Sequence, residues 1–159
     1  MNFAERFKIV PMGAGLNMSA TVVTDSVNCK NMHHATLVFI FDALGTASTI
    51  LTVASGATAG AMTSDITFRY AWGSAATLSA TSDVLTATST SAALTITYGT
   101  YGDYMLVVDV DMSEMDLDNG EEWLTAEFAK PVGASTGLVS VVGIFESRYP
   151  GNQSGTVTA

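Results

Sequence analysis

The residues best placed for chemistry lie in one acidic run, Asp109-Val110-Asp111-Met112-Ser113-Glu114-Met115-Asp116-Leu117-Asp118-Asn119-Gly120-Glu121. Several hard oxygen ligands close together in a loop are what Ca²⁺ requires, so Asp109, Asp111, Asp116 and Asp118 form a candidate cation site. The spacing departs from the helix-loop-helix calcium pattern, because Glu114 falls where the tight-turn glycine belongs if Asp109 is position one. Asp109 and Asp111 also share one side of an extended segment, so a solvated strand end followed by an acidic turn competes with the cation site. His33 and His34 are adjacent, which in a strand points them to opposite faces; they do not make a zinc set with Cys29, and one is expected buried and the other exposed. Ser and Thr are too abundant to single out a nucleophile, no Gly-x-Ser-x-Gly elbow occurs, and no Gly-rich phosphate loop with a lysine is present. Carboxylate neighbours such as Glu121 and Glu122 carry no sign of facing one another across a cleft. Neither enzymatic activity nor a cofactor is expected.

The elements that must position these residues read as strands. Of the 159 residues, 48% are apolar and only 13% charged, and Thr, Ser, Ala and Gly fill most of the remainder. Threonine's branched Cβ suits a pleated surface, and long helix formers are scarce, so the chain is expected to be all-β. A chain of this length buries about 70% of the surface its unfolded form exposes, which makes one domain over residues 1–150 the default, with residues 151–159 a flexible tail.

A formal charge of −9 with only six Lys and Arg counts against a footprint for nucleic acid or anionic lipid. The single Cys29 excludes an intramolecular disulfide and is expected to pack as a small buried hydrophobe. The N-terminus lacks the apolar core of a signal peptide, and no apolar run reaches the roughly 20 residues that span a bilayer. Synthesis in a cytoplasm, without membrane insertion, is the expectation.

Eight to ten strands are predicted. Residues 6–10 alternate until Pro11, which should end a strand or mark an edge. Residues 19–27 form a second strand, and residues 35–42, nearly all apolar, read as a central strand covered on both faces. Residues 49–53 follow. Residues 65–72 alternate cleanly, with Ile66, Phe68, Tyr70 and Trp72 on one face and Thr67, Arg69 and Ala71 on the other. The Ser/Ala/Thr tract at 73–92 is compatible with disorder over 73–81, whereas residues 83–88 and 93–98 alternate and suit a hairpin. Residues 104–112, 122–129 and 138–148 complete a β-sandwich, of which a jelly roll is one form. For the aromatics, burial in the core is the favoured role, and Trp72 and Trp123 are the candidates for the alternatives, an interface or a sugar platform.

Taken in order, Arg6-Phe7-Lys8-Ile9-Val10, residues 20–28, residues 35–41, residues 104–112 and Val139-Ser140-Val141-Val142-Gly143-Ile144-Phe145-Glu146-Ser147-Arg148-Tyr149 give a strand pattern. It resembles the capsid decoration, or auxiliary head, proteins of tailed bacteriophages. The resemblance covers most of the chain and leaves the tract at 73–92 without a counterpart. It implies a jelly-roll-like sandwich that binds the exterior of an assembled capsid as a homotrimer, with the major capsid protein as partner and no nucleic acid or membrane contact. On that reading Phe3, Arg6, Phe7 and Lys8, the one basic and aromatic cluster of an acidic chain, are the expected capsid contact. A carbohydrate- or receptor-binding module of a head fibre or tail is the alternative.

Overall fold

The computed structural model describes residues 3–132, 136–149 and 157–158. These contain thirteen strands: β1 (Phe7–Asn17), β2 (Val22–Val23), β3 (Ser26–Asn28), β4 (Met32–Phe41), β5 (Ser48–Gly56), β6 (Ser64–Asp65), β7 (Phe68–Trp72), β8 (Ser89–Ser91), β9 (Ala93–Thr97), β10 (Met105–Asp111), β11 (Trp123–Phe128), β12 (Leu138–Ser147) and β13 (Val157–Thr158). Five of the thirteen are two or three residues long, which leaves eight longer strands. Those short segments are what a reading of eight to ten omits, because two or three residues are too few to show alternation.

One sheet runs β1-β12-β4-β10-β7-β8; the other runs β13-β3-β11-β5-β6, with β2 also on β11 and β9 also on β5. All pairings are antiparallel. Leaving out β6 to β8, the chain changes sheet at every connection from β3 to β12 except the one from β5 to β9, which pair with each other. It sets β1-β12-β4-β10 against β3-β11-β5-β9, which is the winding of a jelly roll. The insertion β6 to β8 adds two strands beyond β10.

The core is set by period-two alternation. Leu37, Phe39 and Phe41 of β4 point inward and meet Leu124, Ala126 and Phe128 of β11, all six at most 1% exposed. Phe128 packs edge-on against Phe39 and Phe41 at centroid distances of 5.5 and 6.0 Å. Such pairs add about 0.5–1.5 kcal/mol beyond their buried area. At one end, Trp72 stacks on Tyr101 at 3.8 Å and lies 5.8 Å from Phe41. The buried Tyr98 donates its hydroxyl to the Met18 carbonyl at 3.2 Å, which satisfies its polar tip.

Several expectations change. Residues 19–27 divide into β2 and β3. Residues 83–88 and 93–98 form no hairpin, since β8 and β9 belong to opposite sheets and pair with β7 and β5. The tract at 73–88 has a fixed course: the amides of Ser74, Thr77 and Thr86 donate to the carbonyls of Val84, Asp103 and Trp72 at 2.7, 2.6 and 2.8 Å. Pro11 does not end β1 but sits within it, on an edge strand whose register with β12 shifts on either side of Gly13. Of the expected tail, Val157 and Thr158 pair with Val27 and Ser26, and the other residues lie outside the described ones.

Replacing Phe128 with Ala removes a ring that two others pack against. The variant is expected to lose about 3–5 kcal/mol of stability in urea or thermal unfolding.

Candidate docking surface

The outward face of the β1-β12-β4-β10-β7 sheet is where the structure departs most from sequence reading. β4 is central, as expected, yet only one of its faces is covered: His34, Thr36 and Val38 are half-buried and Ile40 is 45% exposed. Register then aligns side chains across strands. Pro11, Val142, Val38, Val107 and Ala71 form one row over five strands. The next row is Ile9, Ile144, Thr36, Asp109 and Arg69, and the row after it is Phe7, Glu146, His34 and Asp111. On the other side lie Ser140, Ile40 and Met105. The result is a broad apolar band with Ile9 (57%) and Ile40 as its most open members. Contiguous apolar surface of this kind marks interaction sites.

A polar border runs along one side of the band. Arg6 donates from Nε and Nη2 to one oxygen of Glu146 at 2.9 and 2.6 Å. This guanidinium holds the Glu146 carboxyl below the usual carboxylate range. His34 faces Asp111 in register and reaches diagonally to Asp109, with Nε2 3.1 Å from Oδ1; Thr36 donates to the same oxygen at 2.7 Å. Arg69 stands opposite Asp109 on β7. At the corner, Phe3 stacks on Phe7 at 4.8 Å and the Arg6 guanidinium lies 5.3 Å from the Phe7 ring. Lys8 follows on β1, its amine lowered from the ordinary value by burial. Phe3 and Arg6 thus gather on Phe7 beside the band, whereas Lys8, opposite the buried Phe145 of β12, is turned to the other face of the sheet.

The acidic run behaves differently from a cation cage. Asp111 accepts from the amide and hydroxyl of Ser113 at 2.9 and 2.8 Å, capping a 3₁₀ turn (Met112–Glu114) and holding its own carboxyl below the ordinary value. Asp116 accepts from Asn119 at 2.8 Å, in the turn that carries Asp118. Asp109 is taken by Thr36 and His34 on the sheet. Among the described residues no three His, Cys, Asp or Glu side chains are grouped so that they could hold a metal ion. His33, Asp111, Asp116, Asp118 and Arg148 line an open pocket of about 360 Å³.

Trp72 offers no platform, being 7% exposed and stacked inside, whereas Trp123 is half-buried on β11. Neither histidine is buried: His34 is half-buried on the open outer face of β4, and His33, on the opposite side near the start of the strand, is exposed. Cys29 is buried, and burial pushes its thiol up to about 12. Sequence reading missed Glu121, which is 7% exposed and accepts from the Ser55 hydroxyl at 2.8 Å. It also missed the outward band, because an apolar run does not tell which face is covered. No helix among the described residues is long and apolar enough to cross a membrane.

Glu146, Asp111 and Glu122, the last beside Lys30 at 2.9 Å, all have carboxyls lowered from their ordinary values, chiefly by Arg6, Ser113 and Lys30. A lowered carboxyl stabilises the fold above its unfolded value, near 4.5 for Glu146. That contribution is lost as pH falls through the folded value. Glu146→Gln is therefore expected to be about 0.2–1 kcal/mol less stable than the parent at pH 7, with the difference closing in urea titrations as the pH falls below the unfolded value.

No family model and no curated protein matches the chain. Among solved structures it is similar to the SPBc2 prophage-derived protein YomS, at 10% identity over 89% of this chain and 93% of that one, with a TM-score of 0.47. It is also similar to a chain of infectious bursal disease virus Gt strain (11% identity, 93% and 41% covered, TM-score 0.26). A chain of the cowpea mosaic virus top component, a naturally occurring empty particle, is a further likeness (10%, 97% and 89%, TM-score 0.22). Scores this low carry no argument about function.

Proposed function

We propose that this protein is a structural component of a phage virion that binds the exterior of the assembled capsid and stabilises it. The major capsid protein is its partner, and its role is contact without catalysis. The observation that carries this reading is the apolar band on the open sheet face, bordered by the Arg6–Glu146 ion pair and joined at one corner by Phe3, Arg6 and Phe7. Such a surface extends over five neighbouring strands, and so suits another protein better than a small molecule, which is held in a concave pocket. The strand order that resembles decoration proteins names the class of partner, and the charge of −9 suits a site away from packaged DNA. Assembly as a trimer belongs to the same proposal.

Stabilisation follows from linkage. A ligand that binds the assembled shell and not its dissociated subunits adds RT ln(1 + [L]/Kd), about 2.7 kcal/mol per site at a hundredfold excess over Kd, repeated over many sites. Modest affinity at each site is sufficient.

The test is co-sedimentation with undecorated capsids. Saturable binding with a raised capsid melting temperature is expected. Val38→Asp, at the centre of the band, should weaken binding at least tenfold while leaving the protein's own circular dichroism intact, and Trp123→Ala should bind like the parent. Absence of saturable binding would sink the decoration reading; full binding by Val38→Asp would move the contact off this face.

A further inference from the structure

We infer that Asn119-Gly120 is a site of self-modification, at which the chain converts Asn119 to aspartate and isoaspartate without an enzyme, and that the Asp116 carboxylate slows the conversion in the folded protein by holding the Asn119 amide. The chain has six asparagines, and only Asn119 is followed by glycine. That neighbour matters, because the attacking atom is the backbone nitrogen of the next residue, and a side chain there obstructs its approach to the amide carbon. Glycine presents none and turns freely about its own backbone bonds. Asn119 is exposed at the end of a 3₁₀ turn (Leu117–Asn119), and Gly120, exposed as well, follows it with a φ of +77°. Beyond its chain neighbours, no described atom lies within 4 Å of where a Cβ of Gly120 would stand.

The step needs only the chain and water. The Gly120 amide nitrogen gives up its proton and bonds to Cγ of Asn119, while the Cγ–Nδ2 bond breaks and the proton leaves with Nδ2 as ammonia. The succinimide ring so formed takes up one water. Attack of that water at Cγ restores the ordinary backbone and leaves aspartate. Attack at the main-chain carbonyl of residue 119 leaves the backbone running through the side chain, as isoaspartate. Nothing is oxidised or reduced.

Two hydrogen bonds restrain this reaction in the folded chain. Nδ2 of Asn119 donates to Asp116 Oδ2 at 2.8 Å, which keeps the amide turned back towards Asp116. The Gly120 amide donates to the Leu117 carbonyl at 3.0 Å, which occupies the proton that must be lost. A bond to a carboxylate is the stronger kind, so the Asp116 clamp is the larger restraint. Both sit in a short exposed turn, where local opening costs far less than global unfolding, and the folded chain therefore reacts each time the turn opens. The product undoes the clamp. Its carboxylate stands where an amide had donated to Asp116, and isoaspartate adds a methylene to the backbone two residues before the buried Glu121, whose own amide donates to the Asp116 carbonyl at 3.1 Å. Modification thus loosens the entry to β11.

Peptide mapping by mass spectrometry tests this on the full chain, incubated at mildly alkaline pH with no capsid or other protein. Conversion reads as the mass gained when an amide –NH₂ becomes –OH, and isoaspartate as a second peptide of that mass with its own retention time. Conversion is expected at Asn119, and at least tenfold faster in urea, where the turn is lost, than in the folded chain. Asp116→Ala, with its fold verified by circular dichroism, should speed the folded rate at least fivefold. Asp116→Asn keeps a side-chain oxygen that accepts from Nδ2, and should react more slowly than Asp116→Ala. No conversion at Asn119 in the folded chain, or an equal rate in urea, would overturn the guarded site. A folded rate that Asp116→Ala leaves unmoved, or that Asp116→Asn raises as much, would overturn the part given to Asp116.

Discussion

The register of β4 between β12 and β10 is the constraint on which the rest of the molecule depends. Side chains alternate along a strand, so a one-residue slip would carry Phe39 and Phe41 into water and Val38 and Ile40 into the core. In the observed register the inward set meets Phe128 and the rest of β11, and the two sheets close on each other. Gly143 helps to hold this alignment. It faces inward opposite Val10 and Leu37, and a Cβ there would lie 2.4 Å from the Phe145 ring and 2.9 Å from the Met12 sulfur. Only glycine admits that approach without displacing both neighbours.

The same alignment fixes the outer surface. Once Leu37, Phe39 and Phe41 are inside, Thr36, Val38 and Ile40 must be outside, and the partners of β4 bring Val142, Ile144, Val107 and Asp109 beside them. Apolar residues in the middle and charged ones along one border are what a docking surface needs. The apolar area supplies the driving force, and the charges set orientation and approach. The Arg6 to Glu146 pair ties the N-terminal turn to that border, so the corner and the band act as one surface.

The acidic run shows the opposite outcome from a similar starting point. Its carboxylates are spent on local structure: Asp111 caps a 3₁₀ turn, Asp116 holds Asn119, and Asp109 accepts a hydrogen bond from Thr36 on the neighbouring strand. Short polar side chains bond to nearby backbone and hydroxyl donors readily, and a turn-forming sequence supplies these at once. A crowd of aspartates in sequence is therefore a weak sign of a metal site unless the fold turns them towards one point.

Period-two alternation and turn chemistry were enough, from residues alone, to read an all-β sandwich, the buried Cys29, and most of the long strands, because these are local properties of ten or so neighbouring residues. Resemblance in strand order added the jelly roll. Which sheet each strand joins was not legible: β8 and β9, adjacent in sequence, part to opposite sheets because β7 and β5 offer them edges from far away in the chain. The fate of the apolar run in β4 was likewise a tertiary matter. Its composition is that of a strand covered twice, but the second covering layer must come from elsewhere in the chain, and none of the described elements lies over it. Trp72 went the other way, drawn inside by Tyr101 and Phe41, residues about thirty positions distant on either side. The sequence by itself thus determined the kind of secondary structure and the make-up of each strand face. The tertiary structure alone decided which faces meet and which remain open, since that depends on long-range pairing between strands whose local patterns are nearly alike.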